Sequence, residues 1–116
     1  MRQKILTFIL VYRKNKVFKD WVPKDIVKYI NKHISTGTIY VTTSGEQVVG
    51  LVTFKIKDKD EKIVEVEDIL TSKPNRRALS SFANRFIESH GKGWRVIGDY
   101  CKGFRNHNLD NLARIA

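Results

Sequence analysis

Between Thr38 and Thr71 the spacing of apolar residues leaves the three-to-four-residue rhythm of a helix and becomes an alternation, and this switch restricts the available folds more than any other feature. Thr38 to Thr43 alternates, Ser44-Gly45-Glu46 reads as a turn, and Val48 to Lys57 alternates again. In this second run Val48, Gly50, Val52, Phe54 and Ile56 share one face. Val49, Leu51, Thr53, Lys55 and Lys57 share the other, grading from apolar to charged, so the strand leaves the core as it proceeds. Asp58-Lys59-Asp60-Glu61 is an exposed turn, and Lys62 to Thr71 returns with Ile63, Glu65, Glu67 and Ile69 opposite Val64, Val66, Asp68 and Leu70. Turns this short join antiparallel neighbours, so the segment predicts a three-stranded meander.

Helical spacing lies on both sides. From Arg2 to Lys14 the positions Ile5, Phe8, Ile9 and Tyr12 make one apolar face, widened by Leu6 and Val11. Phe18 and Trp21 are suited to covering a core edge. Pro23 fits the first turn of a second helix, with Asp25 near its positive end; Ile26, Tyr29, Ile30, His33 and Ile34 face inward, and Gly37 stops it. After the meander, a basic turn leads into a helix from about Arg77 to His90 with Leu79, Phe82, Ala83, Phe86 and Ile87 inward. Trp94 to Tyr100 reads as a fourth strand, and Asn108 to Ile115 as a short helix burying Leu109, Leu112 and Ile115. A chain of 116 residues suits one core. The expectation is a single α/β (α+β) domain over residues 1–116, with a mainly antiparallel central sheet flanked by helices.

Several function classes are disfavoured. The apolar run Phe8 to Val11, flanked by Lys4 and Arg13, is too short for a membrane span or a secretory segment. Cys101 is the sole cysteine, which points to a reducing cytoplasm and no disulfide, and His33, His90 and His107 lack metal-ligand spacing, so no metal is expected. Twenty-two Lys and Arg against twelve Asp and Glu give a net charge of +10. Such a field attracts nucleic acid, phosphate-bearing cofactors or an acidic protein, and it also serves plain solubility.

One constellation is more specific. The hairpin residues Gly45-Glu46-Gln47-Val48-Val49-Gly50-Leu51-Val52, the strand Val64 to Leu70 and the turn Pro74-Asn75-Arg76-Arg77-Ala78-Leu79-Ser80, within this order of elements, resemble the GNAT acyltransferase superfamily. The likeness spans Ile39 to Tyr100 and is similar in kind to the short, degenerate GNAT-like proteins of bacteriophages, which would place the chain in a host cytoplasm or a virion. It implies a GNAT-like splayed sheet and an acyl-coenzyme A-dependent N-acyltransferase, or a relative that kept the fold and lost the chemistry. It also implies acetyl-coenzyme A or another acyl-coenzyme A as cofactor, with an amine as acceptor. Its pyrophosphate would be cradled by Leu70, Thr71, Asn75, Arg76, Arg77, Ala78, Leu79 and Ser80, with Lys73 adding charge. Ala78 and Ser80 stand where that family has glycines, and Asn75 where it has Arg or Gln. Glu65, Glu67 and Asp68 are then the candidates for a general base, and Tyr100 for the acid that protonates the leaving thiolate.

Each of these residues also has a plainer reading. The acids suit a solvated strand face balancing nearby lysines, Tyr100 an aromatic at the edge of a core, and Cys101 a small packed residue. Lys24, Lys28 and Lys32 form a basic stripe that serves either phosphates or solvent. Lys102-Gly103-Phe104-Arg105-Asn106-His107, with Arg95 and Arg114, makes a second basic cluster of the same ambiguity. The competing expectation is therefore a binding module without catalysis, directed at nucleic acid or an acidic protein.

Overall fold

Two helices precede the meander, as the periodicity predicts. The computed structural model describes residues 1–13, 18–73, 78–98 and 108–114. Its elements are α1 (Arg2–Tyr12), α2 (Pro23–Thr36), β1 (Ile39–Ser44), β2 (Gln47–Asp58), β3 (Ile63–Thr71), α3 (Ala78–His90), β4 (Arg95–Ile97) and α4 (Leu109–Ala113). The strands form a mixed sheet in the order β1-β2-β3-β4, with β3 and β4 parallel. No helix among the described residues is long and apolar enough to cross a membrane. Contacts divide the chain into two units, Met1–Thr53 with Asp68–Pro74, and Phe54–Glu67 with Asn75–Ala116.

The first unit is built on α1, α2, β1 and the adjoining stretches of β2 and β3. Val22 caps α2 in an extended conformation, Pro23 occupies its first turn, and Gly37 ends it at φ 67°, a left-handed conformation that glycine adopts at no steric cost. Ile5, Phe8 and Ile9 from α1 pack with Ile26, Tyr29 and Ile30 from α2 and with Val48, Leu51 and Leu70 from the strands. Phe18 joins them, and its ring meets Tyr29 edge-on at 5.0 Å. Trp21 also packs edge-on against Tyr29, at 5.3 Å, while remaining 39% exposed.

Two expectations fail in this unit. Val11 does not widen the buried face of α1; it is 63% exposed, because α1 sinks only the narrow stripe of Ile5, Phe8 and Ile9. Strict alternation also separates Val48 from Leu51, yet both enter the same cluster. The cause is a bulge: Thr43 pairs with Val48 and Thr42 with Gly50, so Val49 is an extra residue that shifts the pattern of β2 by one.

The second unit is aromatic. Phe54, Phe82 and Phe86 form a triad with ring centroids 5.4, 5.5 and 5.7 Å apart, and Trp94 meets Phe86 edge-on at 5.1 Å. Val64, Val66, Val96, Ala83, Leu109 and Leu112 are also buried. Asn108 bridges to Arg95 and caps α4, its side chain accepting from Asp110 N at 2.8 Å. Asn84 Nδ2 donates to Ser80 O at 2.9 Å and to Ala113 O at 3.2 Å, tying α3 to α4.

The fourth strand is shorter than the span Trp94 to Tyr100 expected for it. Its pairing with β3 consists of Ile63↔Arg95, Val64↔Val96 and Glu65↔Ile97, and it ends at Ile97. The reason is Gly98, whose φ is 138° and whose missing Cβ would lie 2.6 Å from Val66 O. Tyr100, at the far end of that expected strand, and Ile115 of the last helix lie outside the described residues.

Gly98→Ala is expected to cost about 2 to 4 kcal/mol, because a rigid carbonyl must move and the dihedral is strained. At Gly50 an added Cβ meets nothing closer than 3.6 Å, so Gly50→Ala should change stability by less than about 1 kcal/mol. Urea denaturation midpoints of the two variants test the contrast.

Candidate active site on the third strand

The alternation of β3 sets its acids in different surroundings. Val64, Val66 and Leu70 are buried, and the other positions of the strand are half-buried. Glu65 Oε1 lies 3.5 Å from Lys55 Nζ and 4.0 Å from Lys57 Nζ. With the carboxylate side chain 30% exposed and the lysines at least half exposed, this is a surface charge cluster worth no more than about 1 kcal/mol. Glu65 is therefore engaged as the plainer reading anticipates. Glu67 is half-buried on the same alternation as Glu65.

Asp68 is held differently. Tyr29 Oη on α2 donates to Asp68 Oδ2 at 2.8 Å, and the same hydroxyl shares a buried hydrogen bond with Thr53 Oγ1 on β2. A phenol has a single proton, so with that proton directed at the carboxylate, Thr53 is the donor to Tyr29. The result is an ordered relay from Thr53 through Tyr29 to Asp68. Thr53 is fully buried and Tyr29 nearly so, which leaves water little access to substitute for either partner.

A second chain of hydroxyls ends the same helix. Thr36 Oγ1 donates to Lys32 O at 2.9 Å, Thr38 Oγ1 lies 2.7 Å from Thr36 Oγ1, and His33 Nδ1 lies 2.7 Å from Thr38 Oγ1. With the Thr36 proton committed to a carbonyl, Thr38 donates to Thr36 and accepts from His33, which fixes a proton on His33 Nδ1. The His33 ring stands edge-on to Tyr29 at 4.6 Å. Tyr29 is thus packed by Phe18, Trp21 and His33 and can turn its hydroxyl only toward the strands.

The candidate cofactor cradle is placed in part. Leu70 is 7% exposed and belongs to the first unit's core, so its side chain is structural. Thr71 Oγ1 donates to Lys73 O at 2.6 Å, closing the chain as it leaves β3. Asn75, Arg76 and Arg77 lie outside the described residues. Ala78 and Leu79 open α3 half-buried, and Ser80 is 3% exposed. Ala78, Leu79 and Ser80 are the first described residues of the 13-residue α3.

The sequence pattern marks Tyr29 only as apolar lining and Thr53 only as a strand position, so neither stands out as a partner of Asp68. A signal was present, because a buried tyrosine hydroxyl needs a partner, and a threonine on a facing strand is a natural one. Among the described residues no group of three or more His, Cys, Asp and Glu is placed to hold a metal ion.

Tyr29→Phe should destabilise the protein by about 1 to 3 kcal/mol, leaving Thr53 and Asp68 short of a partner. Combined with Asp68→Asn in a double-mutant cycle, the two losses should be non-additive by at least about 0.5 kcal/mol. Denaturant melts of the four proteins measure it. No family model, no curated protein and no solved structure matches this chain.

Proposed function

We propose that the chain is a small GNAT-like protein that binds acyl-coenzyme A and acts as, or descends from, an N-acyltransferase. The observation that carries this reading is the short parallel pairing of β3 and β4. The two strands are connected through α3, pair over Ile63↔Arg95 to Glu65↔Ile97, and then β3 runs on to Thr71 while β4 has ended. Pairing confined to one end of β3 is compatible with the splayed sheet that the resemblance implies. The amides of Ala78, Leu79 and Ser80, with Asn75, Arg76 and Arg77, would hold the diphosphate of the cofactor, which supplies an activated thioester.

The chain's own part in such chemistry is proton handling. Asp68 is the carboxylate with a defined orientation, since Tyr29 points a hydrogen bond at Oδ2, and it would be the group that takes a proton from an amine or a water. Tyr29 is then a positioning residue. Glu67 is the alternative base, Tyr100 the candidate acid, and Glu65 is the least suited because Lys55 and Lys57 already balance it.

Calorimetric titration with acetyl-coenzyme A is expected to give a saturable heat of one molecule per chain. Ala78→Glu should weaken it at least about tenfold by bulk and charge at a phosphate-binding amide, with the thermal melt unchanged. Absence of saturable heat, or full affinity in the variant, overturns the reading.

A second reading has its own observation. Lys24, Lys28 and Lys32 are all exposed along α2, a stripe available to a polyanion. If it binds a DNA duplex, affinity should fall with salt, and the triple change to Gln should reduce the slope of log affinity against log salt by about 2 to 3. A salt slope that the triple variant leaves unaltered removes the stripe from consideration.

A further inference from the structure

Within the first unit a cleft of about 560 Å³ lies between α1 and the β1–β2 hairpin, closed on one side by the residues that follow β3. That volume is in the range of small-molecule sites. Its apolar walls come from Phe8 and Tyr12 on α1 and from Val48 and Val49 on β2. The two rings contact each other at 5.1 Å, with planes 39° apart, and Phe8 and Val48 are anchored in the core. The third wall is fixed as well, because Ser72 N donates to Val49 O at 2.9 Å and holds the chain after β3 against β2. The bulge at Val49 is what turns an additional valine into this lining.

The rim is charged. Lys4 from α1 and Lys73 from the segment after β3 both line the cleft, and among the described residues neither is in an ion pair. Glu46 lines it too, so two cations face one carboxylate and the rim keeps a positive excess, within a chain whose net charge is +10. Exposed Val11 on the same lining explains an apolar residue left in solvent on a helix that otherwise hides its apolar side chains. A preformed apolar trough with ammonium groups from two different segments suits a ligand with an apolar body and one anionic end.

We infer that this cleft is a binding site for a small amphiphilic anion, an aromatic or aliphatic body bearing a carboxylate, sulfonate or phosphate, with Lys4 and Lys73 taking the anion and Phe8, Tyr12, Val48 and Val49 the body. The site goes beyond acyl transfer: Lys73 is the residue it shares with the candidate coenzyme cradle, whereas Lys4, Phe8, Tyr12, Val48 and Val49 belong to none of the candidate base, acid or phosphate-binding groups.

Anilinonaphthalenesulfonate and its uncharged analogue phenylnaphthylamine serve as probes on the full chain. The sulfonate is expected to bind saturably, one per chain, with amide chemical-shift changes centred on Thr7, Val11, Val48 and Val49. Lys4→Gln with Lys73→Gln should weaken the sulfonate about tenfold and the neutral probe less than twofold. The charge-matched control, Lys59→Gln with Lys92→Gln, should leave both unchanged. Thr7→Trp, at an exposed lining position, should block both probes by filling the trough. Unsaturable binding, shifts centred elsewhere, equal loss in the control pair, or full affinity in Thr7→Trp each overturns the site.

Discussion

The close passage of backbone at Gly98 governs the sheet. A Cβ there would sit 2.6 Å from Val66 O, so the chain can cross this point only as glycine, at a φ of 138° that takes it out of strand geometry. β4 is consequently three residues long, and β3 continues without it. The short strand is kept in place by its surroundings: Arg95 N donates to Lys62 O, Asn108 bridges to Arg95, and Trp94 and Val96 are buried. The shortness of this parallel pair is also the observation on which the proposal of acyl transfer rests.

Polar groups inside the first unit divide its labour. Tyr29 brings a large ring to the core and spends its hydroxyl on Thr53 and Asp68, while Phe18, Trp21 and His33 prevent the ring from turning away. His33, a turn further along α2, is oriented by Thr38 just beyond the helix end. Partly satisfied networks of this kind are costly, and complete ones specify a single arrangement. Asp68 is held by that arrangement, whereas Glu65, three positions earlier, faces two exposed lysines on the surface.

Much of the architecture was legible because local rules decide it. Pro23 and Gly37 bracket α2, and the pair of residues at the tip of the β1–β2 hairpin falls where the turn signal placed it. Phe82, Ala83 and Phe86 are buried at helical spacing as expected. The acids of β3 were found as candidates, yet their roles were not, since charge and position are the same in sequence for a residue facing Lys55 and for one facing Tyr29. The bulge was illegible for a different reason. Val48, Val49, Leu51 and Val52 are interchangeable to a pattern that counts apolar residues, and the pairing partner alone reveals which one is extra.

By itself the sequence determined the kinds and order of elements, because helix caps, turns and periodicity act over a few residues and need no distant partner. It also determined the positive charge and the alternation that sets the acids of β3 among its valines. Tertiary structure decided where β4 stops, which valines share a face, that Asp68 accepts a hydrogen bond from Tyr29, and that two lysines distant in sequence line one cleft. Each of these depends on atoms brought together from remote parts of the chain, and excluded volume and hydrogen-bond partnership at such contacts exist only once the chain has folded.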